Sequence, residues 1–240
     1  MRYKVDQIDE KTIKEFYESV DDVWPSNDMW HTYSRNQIEK YLKKIPFPQN
    51  SNILNAGSGG NDYGLKVKMY HVDIAKNKIE HLIHASVASI EDLPFDDKLF
   101  DDVICVGSVL NYCDAMAAIF ELSRVLKNSG HLVLEFESSW GFEHLGTSAY
   151  KKPAEIVTLK YYMQPHRQWV YSLKYIHKIL EANNFKICSI YRFHILSGLH
   201  YNKHHDENAA TPLTKFDRIF RHIPYFSRHS NNIILLCKKL

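Results

Sequence analysis

From Asn52 onward, short apolar runs bounded by Gly, Asn and Asp alternate with stretches whose apolar residues recur every three to four positions. A parallel sheet with crossover helices produces that texture. The runs predict strands over Asn52–Ala56, Lys68–Val72, Leu82–Val87, Asp102–Val106, His131–Phe136, Phe185–Phe193 and Ile233–Lys238. The sharpest helix spans Asp114–Leu126. Ala115, Ala118, Ile119, Leu122, Val125 and Leu126 share one face, Asp114 offers a cap, and Asn128–Gly130 ends it. Another helix is expected over Trp169–Ala182, with Trp169, Leu173, Ile176 and Leu180 on one side. The short reach from Asp73 to Leu82 leaves little room for a crossover helix there.

The first fifty residues follow a different rhythm. Ile13, Phe16, Tyr17 and Val20 form one apolar helical face. Ser34 followed by Gln37 is a capping-box pattern, which predicts a second helix with Ile38, Tyr41, Leu42 and Ile45 inward and Pro46 as its stop. Between them lies an aromatic and polar stretch, Trp24 to Arg35, in which Trp30, His31, Tyr33 and Arg35 could fold over a ligand as a lid. The last two strands are separated by residues 195–230. A helix is expected there, with Thr211 as cap, Pro212 in the first turn, and Leu213, Phe216, Phe220 and Ile223 inward. This divides the chain into an N-terminal helical cap, residues 1–50, and a domain over 51–240 with substrate-side insertions near 138–168 and 195–230.

Composition narrows the class. At 240 residues with 45% hydrophobic and 24% charged positions, the chain can build one sizeable core. Thirty Lys and Arg against twenty-eight Asp and Glu create no field that would recruit nucleic acid or a membrane surface. Cys105, Cys113, Cys188 and Cys237 show no C-x-x-C spacing and no dense framework, and three of them sit in apolar runs that suit reduced core thiols. The opening Met1–Phe16 has no apolar leader pattern, and no run is long enough to span a bilayer, so a cytoplasmic protein is expected. The oligomeric state is not legible.

Three stretches carry chemistry. Ile53–Gly64 runs an apolar strand into closely spaced glycines, where a backbone without Cβ can approach a ligand at the carboxyl end of a strand. Asp73 ends the next strand, where a carboxylate can accept both hydroxyls of a ribose; a plain turn aspartate is the other reading. The third stretch is Ser89–Tyr112. It holds a D-L-P-F loop (Asp92–Phe95) and an F-D strand (Phe100–Gly107), and is followed by R-V-L-K-N-S-G (Arg124–Gly130). A dinucleotide fingerprint, G-x-G-x-x-G opening a long helix, is absent.

In that order and spacing, residues 50–140 resemble the type 11 family of class I S-adenosylmethionine-dependent methyltransferases. The resemblance implies a Rossmann-like α/β fold: a seven-stranded, mostly parallel sheet with helices on both faces and an antiparallel last strand. It implies S-adenosyl-L-methionine as cofactor, with Gly57, Ser58 and Gly59 beneath its methionine portion and Asp73 on the ribose. Ile74 would flank the adenine, Ser89 and Ile90 would meet its edge and face, and Gly107 would border the site. Asn55 stands where the family usually has Asp or Glu, Ser89 where Asp is frequent, and Tyr112 where many relatives have His.

The expected function is methyl transfer to a small molecule, sugar or glycan precursor, with O-methylation the expected reaction. The alternative is a catalytically silent, cofactor-binding regulatory or assembly protein. Positioning supplies much of the acceleration in such a transfer. For a hydroxyl acceptor a base would help, and Glu137 and His144 are the candidates by position, although both also read as solvated loop residues. Glu135 shares the facing of Glu137 at a deeper level. No metal is expected: His200, His204 and His205 lack supporting ligands and read as a solvated loop. Lys215, Arg218, Arg221 and Arg228 around the Phe216/Phe220 stripe read as a solvated face, or as a match for an anionic or lipid-linked acceptor.

Overall fold

The structure, a computed structural model, describes residues 8–25, 27–161 and 164–240. Residues 1–7 and Ser26 of the expected N-terminal cap, and part of the Met1–Phe16 reading, lie outside the described residues. Two helices come first, α1 (Glu10–Ser19) and α2 (Met29–Leu42). Then follow β1 (Asn52–Ala56), β2 (Lys68–Asp73), a single turn α3 (Lys76–Ile79), β3 (Ala85–Val87) and β4 (Phe100–Cys105). The chain continues with α4 (Ala115–Val125), β5 (Leu126–Glu137), a hairpin of β6 (Ala154–Tyr161) and β7 (Gln164–Tyr171), α5 (Leu173–Ala182) and β8 (Phe185–Phe193). Short helices α6 (Leu196–His204), α7 (Glu207–Ala210), α8 (Asp217–Phe220) and α9 (Pro224–Arg228) precede β9 (Asn232–Lys239).

Seven strands form one sheet in the order β3-β2-β1-β4-β5-β9-β8. All neighbouring pairs are parallel except those of β9, which runs antiparallel to β5 and β8. This is the Rossmann-like sheet with an antiparallel final strand. Alternation along each central strand feeds two cores. Leu54, Val103, Leu132 and Leu134 pack on one face against Ile119 and Leu122 of α4 and Ile176 and Leu180 of α5. Ile53, Ile104 and Val133 pack on the other against Ile38 and Leu42 of α2. Side-chain direction flips at each strand residue, so one apolar run supplies both faces. Each such fully buried side chain contributes about 1.5–3 kcal/mol. No helix among the described residues is long and apolar enough to cross a membrane.

Several local expectations are corrected. α2 begins at Met29 with Asp28 as its cap, whose carboxylate accepts from the His31 amide at 2.9 Å. Ser34 lies inside that helix, with its hydroxyl donating back to Trp30 O at 3.2 Å, a bond open to a mid-helix serine. The helix expected from Trp169 starts at Leu173, because Ser172 caps it and Trp169 belongs to β7. The expected inward stripe in 195–230 is broken. Phe216 and Ile223 are exposed, while Thr214 and Asp217 are buried. The cause is Asp217, whose carboxylate accepts from the His194 amide (2.7 Å), the Ile195 amide (3.1 Å) and the Tyr33 hydroxyl (3.1 Å). Satisfying those donors turns the aspartate inward and the phenyl ring outward. Thr211 does not cap the start of a helix; it closes α7, its hydroxyl donating to Glu207 O at 2.7 Å.

Candidate active site

The turns after β1, β2 and β4 meet at a cavity of about 500 Å³, within the size range of small-molecule sites. Gly57 opens the first turn at φ +71°, and a Cβ there would stand 2.3 Å from Val109 Cγ1. The amides of this loop are spent internally. Gly57 and Ser58 donate to Val72 O, Gly59 to Asp73 Oδ2 at 2.7 Å, and Gly60 to Ser58 Oγ. The loop therefore presents smooth backbone to a ligand and not the free N–H cluster that cradles a phosphate.

Asp73 accepts one backbone bond on each carboxylate oxygen, from Gly59 and from Ala75 (2.9 Å). Each oxygen keeps a lone pair, and the residue lines the cavity. Burial raises its pKa, partly offset by those amides. Ile74, Ala88 and Ile90 supply apolar wall beside it, and Ser89 lines the same region. Gly107, at φ +86°, passes beneath Trp24, where a Cβ would meet the indole at 3.2 Å.

β5 ends in two glutamates on one side. Glu135 is buried, and its Oε2 accepts from the amides of Gly107 (3.0 Å) and Ser108 (2.6 Å) while Oε1 accepts from Asn232 (2.9 Å). It thereby moors the left-handed turn at Ser108, whose φ is +59°. Glu137 is one step nearer the opening. Its carboxylate accepts from the Ser108 hydroxyl at 2.9 Å and from the Gln168 amide. Burial raises its pKa to about 7, and the charges of Glu143 and Glu135 add to the rise.

Of the residues expected from sequence, Gly57, Ser58, Gly59, Asp73, Ile74, Ser89, Ile90, Gly107 and Glu137 line this one cavity. Asn55 does not. It is buried on the far side of the loop, donating to Asn61 O at 2.7 Å, so it braces the glycine turn. His144 is also off the cavity wall, buried behind Glu143 with Nε2 3.0 Å from the Glu143 carboxylate. Burial pushes that imidazole toward neutrality, yet the neighbouring carboxylate prevails and its pKa rises. Of the expected lid, Trp30 and His31 line the cavity, Tyr33 turns to Asp217, and Arg35 pairs with Glu39 at 3.1 Å.

Other lining residues carried no sequence signal of their own: Glu143, Tyr161, His166, Gln168 and Glu207. The alternate buried positions His166, Gln168 and Val170 are the strand periodicity that could have revealed β7. Asp28, His31 and Glu207 bring potential ligand atoms within 4.8 Å of one another. Asp28 spends both oxygens on His31, capping its amide and meeting Nδ1 at 2.6 Å. The group is thus already an internal ion pair.

The sheet order, the glycine turn and the acidic tip of β2 define the class I S-adenosylmethionine-dependent methyltransferase fold. Residues 49–134 match the family model described as a methyltransferase domain, that of the type 11 family. The chain is 30% identical over 156 residues to an uncharacterized protein of Methanocaldococcus jannaschii, covering 58% of this chain and 59% of that one. It is 26% identical over 157 residues to the glycine/sarcosine/dimethylglycine N-methyltransferase of Actinopolyspora halophila, covering 51% of this chain and 28% of that enzyme. The chain thus spans three fifths or less of these relatives' lengths. Geranyl diphosphate C-methyltransferase from Streptomyces coelicolor A3(2) superposes with a TM-score of 0.62 at 11% identity, over 96% of this chain and 97% of that one. At that identity the likeness speaks for the fold.

Proposed function

We propose that the protein is an S-adenosylmethionine-dependent methyltransferase acting on a small molecule whose nucleophile bears a proton, with Glu137 receiving that proton. The observation that carries this reading is the placement of Glu137. It sits on the same cavity wall as Asp73 and the glycine turn, held by two neutral donors, with a pKa near neutrality. A base is most effective when its pKa lies near the working pH.

The cofactor suits the residues present. The free lone pairs of Asp73 match a ribose diol, Ile74 and Ile90 form an apolar slot for a purine, and Gly57, whose Cβ position is taken by Val109, keeps bare backbone on the cavity wall. When bound, S-adenosylmethionine would supply an electrophilic methyl to the acceptor's lone pair, the carbon–sulfur electron pair remaining on sulfur. Ser108 and Gln168 fix the Glu137 carboxylate, so the proton's destination is set before the acceptor arrives. Glu135 holds the Ser108 turn in place through two amides. A hydroxyl, as on a sugar or glycan precursor, and an amine both meet the requirement of a protic nucleophile.

Calorimetric titration with S-adenosylhomocysteine tests the cofactor half. Asp73→Asn removes the carboxylate charge and is expected to weaken binding about 30-fold or more. Mass-spectrometric detection of methylated product tests the other half. Glu137→Gln is expected to abolish transfer while keeping S-adenosylhomocysteine affinity. Unchanged affinity in Asp73→Asn would overturn the proposed seat, and binding without transfer to any acceptor would favour a regulatory role.

A further inference from the structure

One stretch of the cavity wall has a composition of its own. Tyr17, Tyr112, Tyr161 and His166 form a contiguous group of rings. Tyr112 and His166 lie 5.0 Å apart, Tyr161 and His166 5.9 Å, and Tyr17 and Tyr112 5.9 Å, mostly edge to face. His31 extends the group, 4.7 Å from Tyr161. Glu137 and Glu207 line the same cavity, Glu137 within electrostatic reach of Tyr17 and Tyr112 and Glu207 within reach of His31.

No lysine or arginine lines the cavity among the described residues. The two imidazoles able to carry charge here are already matched, His31 by Asp28 and His144 by Glu143. Glu137 receives only neutral donors. Burial raises the pKa of Glu207, as of Glu137, to about 7. A carboxylate shows such a rise when it is desolvated without a full counter-charge.

A further observation points to a ligand. His166 is 6% exposed and lines the cavity, yet its Nε2 has no hydrogen-bond partner among the described residues. Burial lowers its pKa to about 4, so the ring is neutral and can accept an N–H. An unpaired buried nitrogen costs free energy unless a ligand satisfies it.

Resting on the methyltransferase reading above, we propose that the acceptor is an organic ammonium compound, its cationic nitrogen held between the Tyr112–Tyr161–His166 rings and the carboxylates of Glu137 and Glu207. Aromatic faces attract a desolvated ammonium through their quadrupoles, and flanking carboxylates provide the charge that this stretch of the cavity wall lacks. The same surface repels acceptors bearing a carboxylate or phosphate, since no cation stands ready to receive one. The ammonium is the anchor, and the proton passed to Glu137 comes from the O–H or N–H that is methylated.

The test uses the full chain at pH 7.5 and three probes of one size: butylammonium, butanol and butyrate. Binding is read from the intrinsic fluorescence of Trp24, Trp30 and Trp169, which line the cavity. Butylammonium should bind at least about tenfold more tightly than either other probe. Glu207→Gln and Tyr161→Leu should each weaken it about tenfold without moving S-adenosylhomocysteine affinity. Butyrate binding as tightly as butylammonium, or butylammonium binding unchanged in both variants, would overturn the assignment. Should either variant fail to fold, the ranking of the three probes on the unaltered protein decides. S-adenosylhomocysteine titrated into the same samples separates the two readings. Its failure to bind while butylammonium still does removes the cofactor and leaves the ammonium site. The reverse removes the ammonium site alone.

Discussion

Replacing Glu137 by Gln should make the protein more stable above neutral pH and catalytically silent. The carboxyl group ordinarily titrates at 4.5, and in the folded chain its pKa rises to about 7 through burial and the charges of Glu143 and Glu135. A folded pKa above the unfolded one means the native state binds the proton more tightly. The associated stability is complete below pH 4.5 and is lost as pH climbs through 7. The interval corresponds to about 3 kcal/mol at one pKa unit per 1.36 kcal/mol, and water entering the cavity reduces this to roughly 2 kcal/mol. Glutamine is uncharged at every pH. Its amide can still accept from Gln168 and donate to Ser108, so the variant escapes the loss. For a chain of this size the gain amounts to a melting temperature about 4–8 °C higher at pH 8.5, with little difference at pH 4.5. Differential scanning fluorimetry across that range reads it directly. Transfer should fall by about 10²–10⁴-fold in the same variant. A stabilisation that is flat with pH, or absent at pH 8.5, would refute the claim that this carboxylate is buried without compensation.

Gly57→Ala places a Cβ 2.3 Å from Val109 on a backbone at φ +71°, and should lower the urea midpoint by the equivalent of about 1–3 kcal/mol while abolishing S-adenosylhomocysteine binding. Glu135→Ala strips the acceptor from the amides of Gly107 and Ser108 and from Asn232. It should cost about 3 kcal/mol in urea denaturation, with Glu135→Gln recovering most of it because one amide oxygen can serve both backbone donors. In wild-type protein kcat/KM should rise with pH around a midpoint near 7, the ionisation of Glu137. A profile flat from pH 5.5 to 8.5 would remove that residue from the proton path.

What the sequence reveals follows from how local each determinant is. β1 and α4 were legible because a five-residue apolar run and a one-sided helical face with Asp114 at its head are complete within their own segments. That the glycine turn and Asp73 share one cavity is legible because strand tips in such sheets converge at the carboxyl edge. The start of α2 is not legible because Ser34 and Gln37 imitate a cap, while the bonds that matter are donated by the His31 amide to Asp28 and by the Ser34 hydroxyl to Trp30 O. Trp169 fits the apolar spacing of α5, yet its backbone pairs with Ile156 across the β6–β7 hairpin, a partner thirteen positions away that no periodicity reveals. His144 and Glu143 are adjacent in sequence, and only the packing of Asn231, which donates to Glu143, shows that the glutamate takes the cavity and the histidine the interior. The aromatic part of the site was invisible for the same reason. Its rings come from α1, the turn before α4, and the hairpin, and they meet only in three dimensions.

That hairpin has a corollary for the cavity wall. β6 and β7 are bound to each other by a ladder of their own and are not strands of the central sheet. They can therefore be lengthened, recoloured or exchanged without disturbing the register of β1, β2 and β4. Changes at Tyr161, His166 and Gln168 would reshape that part of the cavity wall while leaving the glycine turn and the acid at the tip of β2 where they are.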